Sequence, residues 1–383
     1  MSGEEEERPE LYDEEALIER ENEAVRKAAK GHPGMRASKG SILKNLAVAV
    51  VIIIIVAIIW QVFLNSASRS DWAYEMTQMN EANDLGYTGE GIRVAVIDTG
   101  LDADHEAFDG VEIVEWKDFV NGKSKPYDDE GHGTAMTSII AGQSAMPGGA
   151  QDVELIIVKV LDANGIGTDA LIADGVLFAI DPNDDGDYRD GADVISMSLG
   201  GRTSYLASII GTKSQAAINK AVSIGVLVVA AAGNDGENDD GDVASPGWIR
   251  DVVCVGAVDK NSRLASFSSV GRNLFKQDPD RKPEAVVPGV KITTASHGGG
   301  YKTGSGTSQA TAFMAACLAV VLSVNPDYAH DGIHGGSEEV IRTVKEAIME
   351  SSKTVSGQST PHDNHYGYGL VQVVDMIDYL KAL

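Results

Sequence analysis

Three residues of this 383-residue chain are of types that together can activate an alcohol: Asp98, His132 and Ser308. Each stands at the edge of an apolar run. Asp98 ends IRVAVID (92–98), His132 opens a helical stretch in GHGTAM (131–136), and Ser308 opens another in GTSQATA (306–312). A serine hydroxyl is a weak nucleophile at neutral pH and needs a base within hydrogen-bond reach, a task that suits the intrinsic pKa of histidine. A carboxylate behind the imidazole would hold its tautomer and stabilise the imidazolium. Taken singly, an Asp ending a strand also reads as a helix cap, and a His or Asn beside Gly as a turn former. Their joint occurrence carries the expectation.

Such residues must be positioned by a scaffold, and the sequence describes one. Apolar runs of strand length at 92–98, 153–161, 193–199, 225–232 and 252–258 alternate with helical stretches at 134–142, 169–180 and 213–224. Runs without polar alternation read as parallel strands buried on both faces, and their alternation with helices as repeated βαβ units. Sites in open α/β sheets form beyond the carboxyl ends of strands. Asp98, the Ser198-Leu199-Gly200 segment and Asn234 all fall at such ends.

Eight colinear motifs then resemble the subtilisin-like serine proteases: VAVIDTGLDADH (94–105), GHGTA (131–135), VKVLDANGIGT (158–168), SMSLGG (196–201), AAAGND (230–235), ASFSSVG (265–271), VPGV (287–290) and GTSQA (306–310). Each alone is weak, whereas the ordered set is specific, and the order Asp, His, Ser is the family's. The resemblance, spanning about residues 71–383, implies a three-layer α/β fold with a mainly parallel central sheet. It also implies a serine endopeptidase working through an acyl-enzyme, with no cofactor required for the chemistry. Asn234 becomes the side-chain donor to an oxyanion, with Thr307 nearby, and His105 a structural histidine. Substrate is expected as an extended strand between Gly165-Ile166-Gly167 and Ser198-Leu199-Gly200. Asp235, with the acidic loop 236–242, is expected near the first specificity pocket and to favour basic residues there.

The sequence departs from the family pattern in places. Ala135 replaces a frequent second histidine, and Gln309 and Ala312 replace the usual Met and Pro after the serine. Gln309 would resist oxidation where methionine would not. Ala107 stands where a calcium-ligating aspartate is common, and loop 142–151 is short, so that calcium site is expected to be lost. A different segment, Asp181, Asn183, Asp185 and Asp187 before and after Gly186, alternates oxygen ligands as calcium loops do, but Ala192 stands where a closing glutamate belongs. Calcium there competes with an acidic surface insertion. The other reading of the whole domain is a catalytically inactive subtilisin-like scaffold that binds proteins.

Leu46–Leu64 reads LAVAVVIIIIVAIIWQVFL without a charge, long enough to cross a bilayer as a helix. Six basic side chains and no acidic one lie between residues 24 and 44, which sets the N-terminus in the cytoplasm. The expected organisation is a tail (1–44), a transmembrane helix (45–65), a linker (66–70) and an extracytoplasmic peptidase domain (71–383). Only a few residues separate the span from the domain, too few for an inhibitory propeptide, so unaided folding or a folding helper is expected. The net charge of −26 argues against a nucleic-acid binder, which needs a basic face, and protein or peptide substrates are expected. Cys254 and Cys317, in separate apolar runs, are expected to be buried free thiols rather than one bridge.

Overall fold

A computed structural model describes residues 68–144, 146–200, 212–239, 241–273 and 276–383, with Glu19, Glu23, Arg26, Val48, Val50, Val51, Ile53 and Ile54 before them. The chain divides into a unit over residues 1–64 and one over 65–383. In the first, the five described residues of the expected span, Val48, Val50, Val51, Ile53 and Ile54, are helical and exposed. The rest of that span lies outside the described residues.

The second unit is built on a seven-stranded parallel sheet. Its strands are β1 (Arg93–Asp98), β2 (Glu112–Asp118), β3 (Glu154–Lys159), β4 (Val194–Met197), β5 (Leu227–Ala231), β6 (Val253–Val258) and β7 (Ala285–Pro288). They lie in the order β2-β3-β1-β4-β5-β6-β7. The central strands are buried, Arg93 at the start of β1 excepted, as a sheet covered on both faces requires. Two more strands, β8 (Ile292–Ala295) and β9 (Tyr301–Gly304), form an antiparallel hairpin.

The helices are α1 (Asp71–Met76), α2 (Met79–Asp84), α3 (His132–Ala141), α4 (Asp169–Ile180), α5 (Lys213–Ser223), α6 (Thr307–Val324), α7 (Glu338–Ser351) and α8 (Val373–Lys381). Thr168 and Thr212 start α4 and α5 by accepting from Leu171 N and Gln215 N, each at 3.2 Å. This satisfies backbone donors that a first helical turn otherwise leaves free. α4 and α5 pack together over β1, β3 and β5, whereas α6 packs along β4 to β7 and against α3 and α8. The result is three layers, helix on sheet on helix.

One connection runs against the usual hand. β3–α4–β4 and β4–α5–β5 progress along the sheet in one direction with their helices on one face. β2–α3–β3 progresses in that same direction, yet α3 lies with α6 on the other face. Its crossover therefore has the opposite hand, an arrangement rare in parallel sheets. The reversal sets the start of α3 beside the start of α6, and so brings His132 and Ser308 to one place.

α6 is apolar all round, and among the described residues it is the one helix long and apolar enough to cross a membrane. It lies 78% buried inside the domain, which makes it a core helix. Phe313 is fully buried on it and meets Tyr74 of α1 at 4.7 Å between ring centroids. Cys254 and Cys317 are free and buried, and burial pushes both thiols up to about 12. They are inert at neutral pH.

Candidate active site

Asp98, the last residue of β1, is 1% exposed. Its Oδ1 accepts from Thr99 N at 2.7 Å, and its two oxygens lie 2.8 and 2.9 Å from His132 Nδ1. His132 therefore donates from Nδ1, which leaves Nε2 as an acceptor. Burial acts to lower the imidazole pKa, but the charge and hydrogen bond of Asp98, with Glu130 and Asp128 beyond, outweigh it and the pKa is raised.

The loop before His132 is held by Asp128, a residue sequence reasoning missed. Its Oδ1 accepts from Glu130 N at 3.1 Å and Gly131 N at 2.7 Å, and its Oδ2 from Thr134 N at 2.9 Å and Thr134 Oγ1 at 2.6 Å. Burial acts to raise the Asp128 pKa, and these bonds from Thr134, Gly131 and Glu130 lower it on balance. The signal was present in DDEGHGT (128–134), an acid ahead of a helix start with a threonine within reach. Gly131 caps α3 at φ +101°, and a Cβ there would come within 2.6 Å of the His297 ring. Only glycine fits both demands.

Ser308 is the second residue of α6, with its backbone N–H among those a first turn leaves without an intrahelical partner. Its hydroxyl donates to the Ser198 carbonyl at 3.2 Å, and Ser198 Oγ donates back to the Ser308 carbonyl at 3.0 Å. Among the described residues no hydrogen bond joins Ser308 Oγ to His132. Such bonds commonly tighten only when substrate is bound.

Asn234 follows β5 and Gly233, whose φ is +112°. Its Oδ1 accepts from both Thr307 N and Thr307 Oγ1 at 3.0 Å. Two donors fix the carbonyl end of the amide, so its NH2 end is the part left for a ligand. His132, Ser308 and Asn234 line one cleft of about 630 Å³. Gly165, Ile166, Gly167, Ser198, Leu199 and Gly200 line it too. A pair of fixed donors beside a hydroxyl and a polarised imidazole can stabilise a tetrahedral anion formed at an acyl carbon.

Asp235 follows Asn234; its backbone N donates to Ser269 Oγ at 3.2 Å and Gly236 N to the Phe267 carbonyl at 2.9 Å. Glu130, Asp169 and the Ser245-Pro246 pair, none of them singled out from the sequence, also line the cleft.

His105 has the structural place expected of it. It is buried, with Nδ1 accepting from Ala107 N at 2.9 Å and Nε2 2.7 Å from the Gly300 carbonyl. In loop 181–187 the candidate ligand oxygens serve the loop itself. Asp181 and Asn183 accept from Asp185 N and Gly186 N, and Asp185 accepts from Asp187 N. Asp187 is engaged by Arg189, which holds its carboxyl down to about 2. Asn183, Asp185 and Asp187 line a pocket of about 290 Å³ with Arg93, Arg189 and Asp190, and Asp190 Oδ1 is buried without a hydrogen-bond partner. Asp190 fits a hard cation; Asp187, already paired, does not. Asp193, His330 and Asp331 also converge, but His330 is committed at both nitrogens, to Asp193 Oδ1 and the Tyr188 carbonyl, each at 2.7 Å.

The model of the subtilase family, peptidase S8, matches residues 89–369. The chain is 36% identical over 303 residues to serine protease AprX of Bacillus subtilis, covering 71% of this chain and 67% of that protein. It is 34% identical to subtilisin E of the same organism, covering 75% of this chain and 66% of that protein. It is 32% identical to subtilisin DY of Bacillus licheniformis, covering 75% and 91%. The matched stretch thus spans about two thirds of the first two relatives.

Proposed function

Because the chain belongs to the subtilase family of serine endopeptidases, we propose that it cleaves peptide bonds through Asp98, His132 and Ser308, with Asn234 completing an oxyanion site. The observation that supports this most is the cleft itself. The Asp98–His132 pair, the Ser308 hydroxyl and an amide fixed by Thr307 meet there at the ends of β1 and β5 and at the starts of α3 and α6.

In this reading the substrate lies extended between Gly165-Ile166-Gly167 and Ser198-Leu199-Gly200, bonded through its backbone. Ser308 Oγ turns from Ser198, gives its proton to His132 Nε2 and attacks the acyl carbon. Asp98 stabilises the imidazolium, and Asn234 Nδ2 with Ser308 N receives the oxyanion. The imidazolium then protonates the leaving amine, and water, deprotonated by His132, releases the acyl group from Ser308. A fluorophosphonate probe tests the reading: Ser308 should be labelled, and Ser308→Ala should lose both label and proteolysis. A wild-type protein that neither labels nor cleaves would favour the inactive scaffold.

The apolar run 46–64 and the basic residues before it support a single-pass anchor with the peptidase domain outside. A membrane-impermeant probe should then label intact cells. With so little chain between anchor and domain, either the domain folds unaided or a separate protein assists it. A structural calcium ion held by Asn183, Asp185 and Asp190 would sit beside Arg93 at the start of β1, the end of that strand opposite Asp98. Chelation should lower Tm without altering kcat.

A further inference from the structure

We propose that Lys159 is a positioning residue for the Asp98–His132 pair: its buried ammonium clasps the loops that carry the carboxylate, the imidazole and one wall of the cleft, and its charge acts on the imidazole. The assignment rests on the endopeptidase reading above and adds a residue to that same site. Lys159 ends β3 and pairs in register with Asp98 at the end of β1. Its side chain is 0% exposed, and Nζ donates to the Thr99 carbonyl at 2.6 Å, to the Leu161 carbonyl at 2.7 Å and to Asp129 Oδ1 at 2.7 Å. These three acceptors take all three N–H bonds of an ammonium, one more than a neutral amine has to give. Burying a charge is costly even when it is paired, and an apolar side chain could fill the same space. A buried charge kept beside a reactive pair therefore points to a use beyond packing.

Each acceptor belongs to a different part of the site. Thr99 follows Asp98 and donates its N–H to that carboxylate at 2.7 Å. Leu161 opens the segment that leads to Gly165-Ile166-Gly167, and with Val160 it donates a backbone N–H to the Asp98 carbonyl, at 3.2 and 3.0 Å. Asp129 stands in the loop that enters α3 at His132. Asp128 holds that loop from the helix side, through Thr134, and Lys159 holds it from the sheet side. With the ammonium in place, the base, its carboxylate and the wall against which substrate lies are fixed to one point, which is the geometric condition for reaction at a bound acyl carbon.

The charges at this corner oppose one another. Burial of the ring disfavours the imidazolium, whereas Asp98, Glu130 and Asp128 favour it, and His297 stands beside Gly131. Around the ammonium are Asp129 and the Tyr127 ring, 5.2 Å from Nζ, with Lys123 over the same ring at 3.7 Å and Asp162 following Leu161. Removing the ammonium takes a positive charge away from the imidazole, which should then hold its proton more tightly. Removing the Asp129 carboxylate takes away a negative charge and should do the reverse. A loss of packing alone carries no such pair of signs.

The test follows the rate at which a fluorophosphonate inactivates the full-length protein as pH is varied, a reaction that needs Ser308 and its base but no particular peptide. Lys159→Met keeps the length of the side chain and deletes its charge. It should react about tenfold more slowly than wild type at its optimum, with the acid limb about half a pH unit higher. Asp129→Asn, whose side chain is 34% exposed in wild type, should move the limb about half a pH unit lower. The double variant should bring the limb back near that of wild type. A Lys159→Met enzyme that is slowed with its limb unmoved overturns the assignment and leaves the endopeptidase standing. So does one that reacts as fast as wild type, or a limb that moves the same way in both single variants. If Lys159→Met does not fold, Asp129→Asn decides alone, and a limb that stays or rises there overturns the assignment. A wild type that takes no label and cleaves no peptide removes the endopeptidase reading and the assignment with it.

Discussion

Replacing Thr307 by valine removes a hydroxyl that never meets substrate, and the structure says what that should do to kcat. Thr307 is fully buried, and its Oγ1 donates to Asn234 Oδ1 at 3.0 Å while Thr307 N holds the same oxygen at 3.0 Å. Valine keeps the shape and the backbone donor but deletes one of two bonds that aim the amide, together with the acceptor that Gly233 N meets at 3.3 Å. A neutral hydrogen bond of this kind contributes about 0.5–1.5 kcal/mol, so kcat should fall by about 2- to 12-fold with KM little altered. Asn234→Ala removes the donor itself and should cost about 10²–10³ in kcat, a magnitude taken from the corresponding amide of subtilisin rather than from this structure. The decisive assay is the double-mutant cycle. If Thr307 acts only by aiming Asn234, then Thr307→Val should cost nothing further in the Asn234→Ala background. Equal losses in both backgrounds would refute the argument and point to a general loosening of α6.

Three other substitutions or conditions follow. The raised pKa of His132 places the acid limb of kcat/KM above the ordinary histidine value of about 6.5, since activity appears only as the proton leaves. Because the folded state holds that proton more tightly than the unfolded one, the ionic contribution of His132 to stability is full below the unfolded pKa. It is lost as pH rises through the folded value, which urea midpoints of wild type and His132→Gln would reveal. Gly131→Ala combines φ +101° with a Cβ within 2.6 Å of His297, so it should cost about 1–2 kcal/mol and displace His132. Adding His297→Ala should relieve the contact but not the backbone strain, giving partial recovery of kcat. Asp128→Ala strands the donors of Glu130, Gly131 and Thr134 and should destabilise by about 2–4 kcal/mol, read by denaturant melts. In wild type the contribution of Asp128 is present above the unfolded carboxylate pKa and fades as pH falls through its depressed folded value.

The central sheet was legible because its strands are continuous apolar runs. RVAVID and LVVAA cannot satisfy one wet face, so parallel burial is their natural reading. β2 escaped because EIVEWKD carries Glu112, Glu115 and Lys117 on a half-exposed edge strand, and β7 because four residues ending at Pro288 make too short a signal. The positions of Asp98, His132, Ser308 and Asn234 could be read, since each follows a strand or opens a helix. The partners of those residues could not. Nothing local in the sequence says that Thr307 clasps Asn234, or that Ser308 rests on Ser198. Nor does the sequence say that the loop after Asn234 is held by bonds from Asp235 N and Gly236 N to Ser269 and Phe267, distant along the chain.

The reversed hand of β2–α3–β3 bears on how the molecule is assembled. A nascent chain sampling the commoner wrap would lay α3 on the face that α4 and α5 later occupy, leaving α6 without its neighbour and His132 on the wrong side of the sheet. That species would be compact, apolar inside and inert, with no strong local force to undo it. Escape requires most of the parallel pairing to open again, which is slow where contacts are distant along the chain.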